Sequence, residues 1–301
     1  MNDFEISYTG KVADDHQLDM RRFGYAIVGL DHLISSGLIA IVESRIAKSR
    51  ERVDFTIVAQ PPREGSVEVI GALLSAYQAT QGTFPFWFEL LDKNAPTIIW
   101  DWLSFAFKSL GGREVDADKH MEALIKHANK IHKRETADRQ HERETKFRSD
   151  QEWRDLFYKV LEKERWYAAK VAIPVGTSSN SLRISNPSND DDVTEIDVPM
   201  AEAVRSKEDL RINDLVELEL RIDGITKHTH RASVVLSDEP ETYHHGEIRD
   251  PLIDEKYNPY FDALSSNEVI RVFAKKSFKG DEIHRIYIMG IVGDSPRLEQ
   301  I

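Results

Sequence analysis

Residues 176–193 read GTSSNSLRISNPSNDDDV, a run of Ser, Asn, Asp, Gly and Pro in which only Leu182 and Ile184 offer apolar anchors. Taken alone, such a run buries too little surface to offset the entropy of ordering it. It divides a helix-heavy first half from a second half written mostly in strand code. The run therefore reads as a seam between two modules, and 301 residues are enough for two domains of ordinary size.

Composition narrows the function classes. There are no cysteines, which removes disulfides, thiolate nucleophiles, iron–sulfur clusters and Cys-type zinc sites. The longest apolar stretch, 24–42, is interrupted by Asp31, His32, Ser35 and Ser36, and no basic, then apolar, leader opens the chain. The expectation is a cytoplasmic protein with no membrane span and no secretory signal. The net charge of −12 is the opposite of what a protein coating nucleic acid carries. The charge is uneven, however. Residues 119–148 hold nine Lys/Arg against five acids, a local +4 that leaves −16 for the rest, together with His120, His127, His132 and His141.

Periodicity supplies the elements. Phe4, Ile6 and Tyr8 alternate into a short strand ending at Gly10. Asp14, with Gln17 three residues on, fits a capping box. Phe23, Ile27, Leu30, Ile34, Leu38 and Ile41 then trace one face of a long helix. Gly24, Gly29 and Gly37 either break that helix near 35–37 or allow close packing. A strand over 53–59, a turn at 61–66, a returning strand at 67–70 and a helix at 73–81 follow. The pattern predicts further helices at 95–110, apolar nearly all round, at 120–131 and at 151–164. Residues 133–146 read as a charged strap or a solvent-bridging helix. The strand-rich half opens at 166–174, and 196–205 reads as a strand and a helical turn. Asp223–Gly224 joins 216–222 to 226–236 in a type I′ hairpin. A second hairpin joins 269–275 to 283–291 around 279–281. The class is α+β: an N-terminal small sheet with long helices (1–112), a charged helical arm (113–165), and a strand-rich module (166–301) closing as a small β-barrel-like unit of the OB or SH3-like kind.

The pattern Phe4-x-Ile6-x-Tyr8-x-Gly10, Asp15-His16-x-Leu18-Asp19, Gly29-Leu30 and Pro61-Pro62-Arg63-x-Gly65-Ser66 resembles a bacterial family of unknown function. Its members share a short α/β N-terminal module and a strand-rich C-terminal one. The resemblance implies this layout and a bacterial or mobile-element setting, and no activity.

Chemistry-bearing clusters are few. Asp14, Asp15, His16 and Asp19 surround one helix start, as an acid/base or metal site or, more simply, as capping charge. His228 and His230 sit two apart on an expected strand, with His244 and His245 in a following loop. They are the metal-site candidates, although no recognised ligand spacing is present. A nuclease strand needs paired acids and a lysine; Glu217, Glu219 and Asp223 are candidate acids, but the Glu-x-Lys pattern is missing, as are the phosphate-cradling glycine loops and the nucleophile elbow. Two partner-binding groups remain: Lys126, Lys130, Lys133, Arg134 and Arg139 in the basic window, and the aromatic loop of Tyr257, Tyr260 and Phe261, which either meets a protein or plugs the barrel.

These features lean away from catalysis and from any cofactor. They point to an interaction or accessory protein that binds itself as a homo-oligomer, or binds a protein partner, in a bacterial or phage conflict system. Nucleic-acid binding through the basic arm is the alternative, and a metal-dependent hydrolase a more remote one.

Overall fold

The structure, a computed structural model, describes residues 4–15, 17–49, 51–52, 56–59, 67–74, 95–138, 148–186 and 188–293. The chain divides into two compact units, Met1–Arg205 and Ser206–Ile301. Its class is the α+β expected.

In the first unit a five-stranded antiparallel sheet runs in the order β2-β3-β1-β4-β5. The strands are β1 (Phe4–Thr9), β2 (Thr56–Ala59), β3 (Val67–Leu74), β4 (Ser181–Asn186) and β5 (Asn189–Ile196). Among the described residues this unit also holds four longer helices, α1 (Met20–Glu43), α2 (Ala95–Leu110), α3 (Glu114–Asp138) and α4 (Asp150–Val171), and the short α5 (Val198–Arg205). Ile6, Tyr8, Leu182, Ile184 and Ile196 bury one face of the sheet in a core shared with the helices. The Trp100 indole of α2 donates to the Ile184 carbonyl at 3.3 Å, and the Tyr8 hydroxyl to the Val171 carbonyl at 2.8 Å.

The expected seam is corrected: residues 181–196 form the β4–β5 hairpin of this sheet, and the division between units falls after Arg205. β4 is paired on both sides, and Leu182 and Ile184 are completely buried. Two such side chains contribute about 3–6 kcal/mol, and the ladder bonds to β1 and β5 satisfy the backbone of β4, so the run is ordered as part of the sheet and not by its own side chains alone. β5 is an edge strand, and its Asp192 puts charge where further strand pairing would otherwise be invited.

Other differences have local reasons. α1 is capped by Asp19, whose carboxylate accepts from the Arg22 amide at 2.8 Å, while Asp14 accepts from Gly10 N at 2.6 Å. α1 is unbroken, and its glycines serve packing: a Cβ on Gly37 would lie 2.4 Å from Trp102 Nε1, and one on Gly29 2.5 Å from the Tyr167 carbonyl. By length and composition α1 could cross a bilayer, yet 78% of its apolar window is buried inside the unit, as in a core helix. β3 runs to Leu74, through the start of the helix expected at 73–81, whose remainder lies outside the described residues, as do 53–55 and the turn at 61–66. The strand expected at 166–174 is instead the end of α4, because Glu164, Ala168 and Val171 continue the face begun by Trp153 and Phe157. A capping box of Ser149 and Glu152 starts that helix. The expected separate arm is part of the first unit, since Met121, Leu124, Ala128 and Ile131 of α3 are buried in its core.

The second unit is a closed five-stranded barrel. β7 (Val216–Thr226), β8 (Arg231–Leu236) and β9 (Tyr243–Ile248) form a meander, and β9 pairs in parallel with β11 (Glu282–Ile291). β11 pairs with β10 (Val269–Lys279), which returns to β7 and closes the ring. β6 (Leu210–Ile212) extends β10 beyond the ring. The connection between β9 and β10 carries α6 (Pro259–Ser266), and Ile253 and Tyr260 from this stretch join the barrel core of Leu220, Ile222, Val234, Leu236, Ile248, Val272 and Ile288. This Greek-key closure is the OB arrangement rather than the SH3-like one.

Candidate functional site

Where strands alternate around a filled barrel, function falls to the outward residues and the loops. On β8 and β9 the inward set is Ala232, Val234, Leu236 and Ile248. The outward set pairs across the strands as Arg231 with Glu247, Ser233 with His245, and Val235 with Tyr243. Arg231, His245 and Tyr243 are exposed, the last at 62%. Val235 is buried, so Tyr243 stands beside an apolar floor. Gly246 lets the two strands pack tightly: a Cβ there would be 3.2 Å from Val234.

Charge on this face is sorted by pairing. Glu247 is buried, and Arg249 and Arg285 both ion-pair with it, the latter at 3.1 Å. A doubly paired carboxylate projects little negative potential toward solvent. Arg231 and Lys227 have no ion pair among the described residues. Lys227, His228 and Thr229 are exposed in the β7–β8 turn. That turn is held in a sparsely populated conformation at His230, φ 55°, which costs of order 1 kcal/mol. Two bonds hold it there: the His230 carbonyl accepts from Ile248 N at 2.9 Å, and its Nε2 donates to Asp254 Oδ1 at 3.0 Å. The expected hairpin at Asp223–Gly224 is displaced to this point because a bulge between Ile222 and Gly224 lets β7 run on to Thr226.

The metal candidates do not converge. His228 and His230 lie in the turn rather than on a strand, His230 with Asp254. His244 donates to Glu239 at 3.0 Å, and its neighbour His245 points to the opposite side of β9, since strand side chains alternate. Among the described residues no three His, Asp or Glu side chains form a metal-ligand group. The aromatic loop divides as well. Tyr260 is fully buried, its hydroxyl donating to Asp250 at 2.6 Å, and Phe261 packs against the barrel core, so these two plug the barrel. Tyr257 is 83% exposed with Lys256 over its ring. Lys126, Lys130 and Lys133 are exposed on α3, one turn apart. Arg134 follows on the same helix, and Arg139 lies outside the described residues.

Sequence reasoning missed the β8–β9 face because it read 244–245 as loop. The signal was present in the alternation of Tyr243, His245 and Glu247.

Comparison with known families gives two matches. A domain of unknown function (DUF7946) covers residues 4–205, and a family of unknown function (DUF7947) covers residues 214–292. The first match spans more than half of the chain, which therefore belongs to the DUF7946 family. No curated protein and no solved structure matches.

Proposed function

We propose that this DUF7946-family chain is a non-catalytic binding protein that holds single-stranded nucleic acid on the β8–β9 face of its barrel. The observation that carries the reading is the exposed row of Tyr243, His245 and Arg231 beside Lys227. Single strands need aromatic surfaces for base stacking and cations for phosphates, and neither requires a particular sequence. A ring and a guanidinium on adjacent strands, four register positions or about 14 Å apart along the sheet, supply both. The fold by itself licenses nothing, since barrels of this kind host many ligands. The negative overall charge is compatible with such a site because phosphates meet local charge, and Glu247 on this face is already paired. The partner expectations built on the aromatic loop lose support, because Tyr260 and Phe261 serve the barrel.

Fluorescence anisotropy with labelled oligo-dT, oligo-U and a duplex control tests the reading. Single strands bind at low salt, and affinity falls steeply as salt rises. Tyr243→Ala weakens binding by about 1–3 kcal/mol, and Arg231→Glu abolishes it at moderate salt. No binding to either single strand at about 50 mM salt, or binding indifferent to both substitutions, refutes it.

A further inference from the structure

The first unit buries a chain of ionisable groups that the proposed binding role does not use. Asp101 on α2 and His120 on α3 are 3% and 2% exposed. The His120 Nδ1–H donates to Asp101 Oδ1 at 3.0 Å, and Nε2 on the other side of the ring lies 3.3 Å from Lys108 Nζ. His127 Nε2 approaches the second carboxylate oxygen of Asp101 at 3.4 Å. The edge of Trp100 packs against the His120 ring at 4.7 Å between centroids, fixing its plane. With Nδ1 committed to Asp101, Nε2 can only accept, and the one donor facing it in this chain of contacts is the half-buried Lys108 amine.

We infer that Lys108 is a nucleophilic amine, activated by His120 and Asp101, that condenses with small aldehydes. The arrangement is an acid-oriented imidazole poised on a nucleophile, with an amine in the place of a hydroxyl or thiol. His120 Nε2 takes a proton from the Lys108 ammonium. The free amine adds to the aldehyde carbon, giving a carbinolamine, and that proton returns to its oxygen. Water leaves as an imine forms, with no oxidant or reductant. The surroundings favour the neutral amine. Burial, followed by the charge of Lys119, holds Lys108 below the ordinary lysine range, Arg113 adds to this, and Asp116 and Asp192 oppose it. Burial likewise keeps His120 below its usual value, against the Asp101 hydrogen bond and with the help of Lys108 and Lys119, so the ring is neutral near pH 7 and its Nε2 lone pair is available to accept.

The test is reductive methylation of the full-length protein with limiting formaldehyde and cyanoborohydride, with peptide mass spectrometry reading each lysine. Lys126 and Lys130, exposed on α3, are the internal references. At pH 7 Lys108 is modified at least about fivefold faster than either, and its advantage shrinks as pH rises. His120→Gln and Asp101→Asn bring its rate down to the reference rate. Titration of ¹³C-methylated Lys108 in the otherwise native protein gives a midpoint below those of the two references. A Lys108 rate equal to or slower than that of Lys126 and Lys130 in the unsubstituted protein overturns the inference. So does undiminished speed in a folded His120→Gln variant. The unsubstituted protein gives both the rate ratio and the titration, so the inference stays open to refutation even where a variant fails to fold.

Discussion

Gly37→Ala is the sharpest test of how α1 and α2 are joined. A Cβ at this position would lie 2.4 Å from Trp102 Nε1 and 2.5 Å from Cδ1, whereas relaxed carbon contacts need about 3.5–4 Å. The indole cannot swing aside freely. It is 1% exposed, and its N–H donates to the Leu33 carbonyl at 2.8 Å. Overpacking costs about 1–3 kcal/mol and a weakened buried hydrogen bond about 1 kcal/mol, while replacing glycine within a helix returns about 1 kcal/mol. The net loss is about 1–3 kcal/mol. Gly24→Ala, on the same helix, is the control. It is exposed with nothing within 4 Å of the added carbon, so only the propensity gain remains, up to about 1 kcal/mol. In thermal denaturation each kcal/mol moves the midpoint of a unit of this size by about 2–4 °C, so the two variants, about 1–4 kcal/mol apart, differ by roughly 2–16 °C, with Gly37→Ala below the parent and Gly24→Ala at or above it. A Gly37→Ala protein that melts with or above Gly24→Ala would refute the reasoning. α2 also carries Asp101 and Lys108, so the same substitution slows Lys108 methylation if it displaces that helix.

Two further outcomes are expected. Glu164 is 5% exposed, with one carboxylate oxygen unpartnered among the described residues, and burial raises its pKa against the hydrogen bond from Ser36. A raised carboxyl pKa leaves stability intact below the ordinary carboxylate value and drains it as pH climbs through the folded value. Glu164→Gln therefore stabilises by about 1–3 kcal/mol at pH 8 and little at pH 4 in urea unfolding; an equal effect at both refutes the sign. Tyr260→Phe removes the hydroxyl that donates to buried Asp250 at 2.6 Å, and lowers the stability of the barrel by about 1.5–3 kcal/mol. An unchanged unfolding midpoint would show that this bond contributes nothing.

What the sequence determined by itself was local. The 3.6-residue spacing in α1, the all-round apolar character of α2 and the alternation in β7, β10 and β11 follow from side-chain periodicity, and each element is present in the fold. So is the α+β class with a barrel at its C-terminal end. Tertiary structure decided what depends on distant neighbours. Leu182 and Ile184 turn a polar run into a central strand only because β1 and the helical core receive them. Gly37 packs rather than breaks because Trp102, far along the chain, fills the space where a side chain would be. Arg231, Tyr243 and His245 become one face only once a bulge in β7 moves the turn and β8 pairs with β9. Asp101, His120 and Lys108 show no diagnostic spacing, since they meet across two helices in a buried contact. Periodicity records which side of an element faces inward, but carries no record of what waits there.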